Sequence, residues 1–382
     1  MTMNLKCSIA LVLILLFFLV PMAVFSSGAR EIELGEAYPK ACADCHSDNP
    51  KYPLLGVRLG YDTSGHKKNN NSYYANGTGC QQCHTNEGFI EYVDKGKVGE
   101  YVAYPSQPGC FTCHEPHTKG DFSLRTMKPV KLANGSVFDL GKGNLCANCH
   151  QARLNAQETV QASDAAKITS HWGGHHGPQS DMVSGTNAWE FPGKSYSSSA
   201  HKLVVKDGCA QCHMALPKGR YGFSPELGGH SFNIEGEVHE AGLLNVTACV
   251  ACHKDIKQVR GEEIFDLKAK VDYDQDGNLE PLQQEVQGIL ETFVNEKGTG
   301  YLQTINPPMF KKDAKPTFEG LGDWAGSRTG SWTKEQMAAL YNYKYVVEDR
   351  SKGVHNSTYA IQILYDSLKA LDPSLDDSRR PK

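Results

Sequence analysis

The segment Cys110-Phe-Thr-Cys113-His114-Glu115-Pro116-His117 holds two cysteines separated by two residues, a histidine directly after the second, and another histidine three positions on. Five further segments repeat its first part: Cys42-Ala-Asp-Cys45-His46, Cys80-Gln-Gln-Cys83-His84, Cys146-Ala-Asn-Cys149-His150, Cys209-Ala-Gln-Cys212-His213 and Cys249-Val-Ala-Cys252-His253. Twelve of the 13 cysteines are used in this way; the other, Cys7, precedes an apolar run near the N-terminus. Disulfides suit an even number of cysteines in an exported chain, but they give no reason for a histidine after every pair. Structural zinc favours two such pairs per site, and adjacent Cys and His are hard to place on one tetrahedron.

The repeated pattern matches the attachment signature of c-type haem. Two thiols add to the two vinyl groups on one edge of the porphyrin, and the two intervening residues set the separation that this edge requires. The next residue lies beneath the ring, where its imidazole reaches the iron. The sequence therefore predicts six covalently attached haem c groups, with His46, His84, His114, His150, His213 and His253 as proximal ligands. All twelve motif cysteines are consumed in the attachment.

Nine histidines remain outside the motifs: His66, His117, His171, His175, His176, His201, His230, His239 and His355. Six distal ligands are needed if every haem is held by two histidines. His117 is too close to His114 to cross the macrocycle, so it is expected to ligate a neighbouring haem. His66, 14 residues before Cys80, His201, eight before Cys209, and His230, which follows Gly228-Gly229, are distal candidates. In His171-Trp-Gly-Gly-His175-His176 one histidine is expected to ligate; His176 is favoured, with His175 as its rival. His355, just ahead of a well-patterned helix, completes the set, and His239 among acidic residues reads as a surface histidine.

Lys6, the apolar run Ile9–Val20 and the small-residue stretch Ser26-Ser27-Gly28-Ala29 form a secretory signal over residues 1–29, which implies export to the periplasm, outer surface or extracellular space. An uncleaved anchor at the short limit of a membrane span is the alternative. The motif region, 30–260, allows under 40 residues per motif. That is too little for six separate folds, so neighbouring haems are expected to share walls and form much of the core. Short helices carrying the motifs, joined by irregular Gly- and Pro-rich loops, are the predicted local structure. The fold class is thus mainly α with much irregular loop.

Residues 261–382 contain no cysteine. Leu282, Val286, Ile289, Leu290 and Phe293 recur at helical spacing. Thr333 with Gln336 fits a capping box opening a helix through Met337, Leu340 and Tyr341. Ile361, Leu364, Leu368 and Leu371 mark a last helix, capped by Asn356 or Ser357 and ended by Asp372-Pro373. The tyrosines Tyr341, Tyr343 and Tyr345 read as packing residues. Asp272-Tyr-Asp274-Gln-Asp276-Gly277 resembles the start of a calcium-binding loop, but Gln283 stands where a bidentate Glu belongs. A calcium ion or an acidic turn capping the next helix are the two readings.

The formal charge of −4 leaves no basic footprint for a nucleic-acid partner. The six motifs, His176-Gly-Pro-Gln179, His201 ahead of a motif followed by Met214, Gly229-His230 and Gly353-Val354-His355-Asn356 together resemble bacterial multihaem c-type cytochromes. The resemblance extends distantly to the group of ammonia-forming cytochrome c nitrite reductases, and it implies a mainly helical protein with closely stacked haems and C-terminal helices that often mediate dimers. Those reductases typically attach the catalytic haem through a motif ending in Lys, whereas every motif here ends in His. The expectation is therefore an electron carrier of low potential in anaerobic respiration. Its partners would be quinol-oxidising or outer-surface redox proteins, with peripheral or no membrane contact and further copies of the chain as candidate neighbours. A nitrite or hydroxylamine reductase with one open iron, and a cytochrome that polymerises into a conducting filament, are the alternatives.

Overall fold

The computed structural model describes residues 54–69, 72–73, 75–77, 79–99, 101–115, 122–161, 163–168, 172–218, 224–238, 241–254, 256–259, 262–264, 268–315 and 328–382. The signal segment, Cys42, Cys45, His46, His117, His171 and His239 lie outside these residues. The chain divides into two compact units, Met1–Leu55 and Gly56–Lys382, and the described residues fall almost entirely in the second.

Helix is the main regular structure, with small paired strands and long irregular connections, as the motif spacing predicts. Early in the chain stand α1 (Leu54–Thr63) and α2 (Asn86–Lys95). Thr85 caps α2, its hydroxyl accepting from Gly88 N, and Gly96 closes it with a left-handed φ of 72°. The motifs occupy short helical pieces: Gln81–His84, Cys110–Cys113, Gly143–Ala147, Cys209–His213 and the 3-10 turn Cys249–Ala251. In four of them the histidine N–H closes one α-turn onto the carbonyl of the first cysteine, as in His150 N to Cys146 O at 2.9 Å. One turn of helix sets residues three and four apart on one face, so each motif presents both sulfurs and its imidazole on the same side.

Among the described residues eight strands pair two by two, all antiparallel. They are β1 (Val130–Lys131) with β2 (Val137–Phe138), β3 (Ser163–Ile168) with β8 (Arg328–Trp332), β4 (Glu235–Val238) with β5 (Ala241–Leu244), and β6 (Lys257–Val259) with β7 (Glu262–Ile264). The β3–β8 ladder runs from Ser163 opposite Trp332 to Ile168 opposite Arg328, with an irregularity between Ser163 and Ala166. It ties the middle of the motif region to the C-terminal region.

The large hydrophobic core sits in that C-terminal region. Beyond α3 (Gln179–Ser184) come α4 (Leu282–Phe293), α5 (Lys334–Asp349) and α6 (Ser357–Leu371). Thr333 and Gln336 form the expected capping box of α5, and Asn356 caps α6, its Oδ1 accepting from Tyr359 N. All residues of α5 from Met337 to Asp349 are buried, the pattern of a helix enclosed on every side. Tyr343 packs on Phe293 and Phe310, with ring centres 5.7 and 5.4 Å apart, while Tyr341 meets Trp172 edge-on at 6.0 Å. Asn342 accepts from Trp189 N at 2.8 Å and donates to Trp189 O at 2.9 Å. Ala156, Val160, Met182 and Trp189 join the cluster, so the core is shared between the Cys-free region and residues that precede Cys209. Gly353 holds a φ of 86° in the α5–α6 connection, and a Cβ there would stand 3.0 Å from Val286 Cγ2, so the connection needs glycine for both reasons.

Candidate metal centres

Each described motif histidine faces a second histidine from elsewhere in the chain. The ring centres of His150 and His66 are 6.0 Å apart, those of His253 and His201 6.1 Å, His213 and His355 6.2 Å, His114 and His230 6.3 Å, and His84 and His175 6.3 Å. Two metal–nitrogen bonds of about 2 Å, plus just over 1 Å from each nitrogen to its ring centre, span roughly 6 Å. The five separations agree with that span. No disulfide joins the ten described motif cysteines. The donor set therefore fits covalent haem with an imidazole on each face.

The surroundings fix ring direction. Nδ1 of His114 bonds the Phe122 carbonyl at 2.9 Å, that of His213 the Phe232 carbonyl at 2.8 Å, and that of His201 the Val354 carbonyl at 2.8 Å. Nδ1 of His150 meets Gln179 Oε1 at 3.2 Å, and Nδ1 of His355 meets Asp349 Oδ1 at 2.7 Å. An acceptor on Nδ1 places the proton there and leaves the Nε2 lone pair available, the usual arrangement around metal-bound histidine. His66 stands in the short helix Gly65–Lys68, whose N-terminus the buried Ser64 caps.

The favoured residue of the 175–176 pair and its rival both stand in this region. His175 is the ring 6.3 Å from His84, in a left-handed backbone with φ 63°. His176 lies 4.5 Å from His175 and bonds Glu348 Oε2 through Nδ1 at 3.0 Å.

Phe232 connects three of the pairs. Its ring lies 5.1 Å from that of His66 and 6.0 Å from that of His230, and its carbonyl holds His213. It is a non-glycine residue at φ 59°, a conformation that costs energy and persists only where the surroundings impose it. The motifs also touch one another. Sγ of Cys83 donates to the Asn148 carbonyl and Sγ of Cys149 to the Gln82 carbonyl, each at 3.9 Å. A Cβ on Gly143 would stand 3.0 Å from Cys209 N, so the Cys146 motif meets the Cys80 motif on one side and the Cys209 motif on the other.

Burial favours the neutral form, the one that binds metal, in five of these imidazoles. It lowers the pKa of His84, His150, His213 and His230, and that of His66 falls to about 4 through burial and the nearby His150. In His355 burial is opposed by the Asp349 carboxylate and its hydrogen bond, and the pKa is raised. Sequence reasoning missed Glu348, Asp349 and Phe232, whose places come from the fold alone; Gln179 stood within the quoted His176-Gly-Pro-Gln179 stretch without a role.

The acidic loop brings Asp272, Asp274 and Asp276 together, their carboxylates within 4.8 Å of one another. Each caps its own loop: Asp272 accepts from Gly277 N, Asp274 from Asp276 N and Asp276 from Asn278 N. Buried Glu285 accepts from the backbone N–H groups of Tyr273, Asp274 and Glu280. The aspartates thus tie the loop to itself and Glu285 ties it to α4, whose N-cap is Pro281 without a side-chain cap, so the acidic turn does not cap the helix. Among the described residues no helix is long and apolar enough to cross a membrane.

No established protein family matches the chain. It is similar to the C-type polyheme cytochromes OmcC and OmcB of Geobacter sulfurreducens, each 22% identical across 86% of this chain; it spans 42% and 43% of their lengths. The chain thus covers less than half of the curated relatives it matches. Among solved structures it is similar to the outer cell wall cytochrome OcwA, with a TM-score of 0.45 and 19% identity, over 84% of this chain and 50% of that one. It is also similar to an undecaheme cytochrome from the S-layer of Carboxydothermus ferrireducens, with a TM-score of 0.38 and 16% identity, over 84% and 41%.

Proposed function

We propose that this chain is an exported multihaem c-type cytochrome that carries electrons along six closely packed haems, each held between two histidines. The observation that carries the reading is the set of five facing imidazole pairs at 6.0–6.3 Å, every one containing a motif histidine. The likeness to polyheme cytochromes supports it independently. Haem c bound there supplies a one-electron iron couple, and two imidazoles without Met favour low potential. The chain's own part is to attach the groups through Cys42 and Cys45, Cys80 and Cys83, Cys110 and Cys113, Cys146 and Cys149, Cys209 and Cys212, and Cys249 and Cys252. It also fills both faces, and it sets the Cys80, Cys146 and Cys209 motifs against one another.

His66, His201, His230 and His355 are the proposed partners of His150, His253, His114 and His213. His175 takes the face opposite His84 by the same ring criterion, and His176 stands beside it on Glu348. His46 and His117 complete the proposal, His117 serving a haem other than that of His114. The reductase alternative needs an open face, and all five described motif histidines have a facing histidine. Periplasmic or outer-surface residence, and redox proteins as donors and acceptors, belong to the same proposal.

The test is intact mass and a reduced spectrum with carbon monoxide. Six covalent haem additions and no carbon monoxide adduct are expected. Four or fewer additions in properly matured protein would sink the reading of the motifs. Carbon monoxide binding at one iron would move the protein to the reductase class.

A further inference from the structure

The last turn of α5 meets three imidazoles. Asp349 Oδ1 accepts from His355 Nδ1 at 2.7 Å, and Glu348 Oε2 accepts from His176 Nδ1 at 3.0 Å. Gln179 Nε2 donates to the main-chain carbonyls of Glu348 and Asp349 at 3.1 and 3.2 Å, while its Oε1 accepts from His150 Nδ1 at 3.2 Å. The two carboxylates are 2% and 0% exposed. Burying charge is expensive unless it is paired or hydrogen-bonded. Here much of the pairing is with imidazoles, although Ser351 also donates to Asp349. The last carbonyls of a helix add a negative partial charge to the same place. His114, His201 and His213 differ, since each gives Nδ1 to a neutral carbonyl in a loop or turn.

We infer that the C-terminal turn of α5 sets the potentials of a subset of the haems, with Asp349 and Gln179 as positioning residues that act through His355 and His150. The inference rests on the haem-ligand reading above and deepens it. A carboxylate on Nδ1 draws the imidazole toward imidazolate and makes it a stronger donor to iron, which stabilises the ferric state. Gln179 passes a weaker form of the same influence from the helix carbonyls to His150. The haems attached at Cys209–Cys212 and Cys146–Cys149 are then the lowest in the array and release electrons most readily to the others. At the Cys209–Cys212 haem the Asp349 carboxylate on one face outweighs the neutral Phe232 carbonyl on the other, whereas the haems of the Cys110 and Cys249 motifs, where His114 and His201 lean on neutral carbonyls, sit higher. The two low centres are also adjacent, because the Gly143–Ala147 helix packs against Gly208 and Cys209, a Cβ on Gly143 standing 3.0 Å from Cys209 N. Burial of the carboxylates keeps water from screening the effect.

The experiment is potentiometric titration of the whole holoprotein and of Asp349→Asn, Asp349→Glu and Gln179→Leu, each first checked for six covalent low-spin haems. Asp349→Asn should shift one haem to higher potential by at least tenfold in its reduction equilibrium, about 59 mV for one electron. Asp349→Glu should bring that haem back toward the parent value. Gln179→Leu should move a different haem in the same direction by less. Parent-like titrations in both Asp349→Asn and Gln179→Leu, with all haems in place, overturn the inference. Loss of haem or of low-spin ligation in Asp349→Asn without any potential shift in Gln179→Leu overturns it equally, since the turn would then only hold the fold. Failure of the haem reading itself would be visible in the parent, before any variant is made.

Discussion

Helix α5 is buried along nearly its whole length by other side chains, whereas the motif helices of the preceding region, Gly143–Ala147 apart, are mostly half-buried or exposed, with Phe111 inside one of them and Tyr101 and Tyr104 ahead of it all exposed. The C-terminal region closes a core from α4, α5 and α6 with Met182 and Trp189. Among the described residues the motif region has two small clusters of its own, Val130, Leu132, Phe138 and Ala147 in one, Leu227 and Leu243 in the other. A chain of this length has side chains enough for more than one large core. Their concentration in one region fits a division of labour, in which protein packing stabilises the C-terminal helices and the attached groups organise the motif region.

Removing one attachment should break the comparison most visibly. In Cys146→Ser/Cys149→Ser protein, mass spectrometry should find five haem additions, and hydrogen exchange should show residues 143–154 losing protection. Amides from Leu340 to Val346 in α5 should stay protected. A motif segment as protected as in the parent would mean that side chains alone hold it, and the division of labour would fail.

A smaller effect comes from the side-chain core. Leu364 is 0% exposed and Leu203 is 84% exposed. Leu364→Ala should cost about 2–5 kcal/mol by the large-to-small rule for buried positions, while Leu203→Ala should stay within about 0.5 kcal/mol. Urea unfolding of both variants with all haems attached measures the difference. Equal losses would show that the two regions are not stabilised differently. The smallest effect is expected on the surface: Lys95 pairs with Glu91 at 3.0 Å on α2, and Lys95→Ala should change stability by less than about 0.5 kcal/mol in the same assay.

The motifs, the long C-terminal helices and their caps were legible because each is a local pattern. A turn of helix fixes where residues i, i+3 and i+4 point, and Thr333, Gln336 and Asn356 act within their own first turn. The partners of the motif histidines were not legible. His66, His201 and His230 stand out in the sequence by preceding the Cys80, Cys209 and Cys249 motifs, yet the structure sets them opposite His150, His253 and His114. Closing a longer loop costs little more than closing a short one, so nearness along the chain does not select a partner. Glu348 and Asp349 were hidden for a related reason. In sequence they end an ordinary amphipathic helix, and their role comes from residues more than 150 positions away or from a turn whose path local pattern does not specify.

The neighbouring motifs carry a consequence for how the molecule is made. Cys83 lies against Asn148, Cys149 against Gln82 and the helix of Cys146 against Cys209 only in the finished fold. A chain that folded first, in a compartment where thiols oxidise, would hold these cysteines ready to bond across motifs. Such a crosslink would consume thiols from two motifs at once and leave both unable to take their groups. On the proposed haem reading, productive biogenesis then requires order: the motifs are loaded while the chain is still open, and the fold closes around thioethers that can no longer be oxidised to one another.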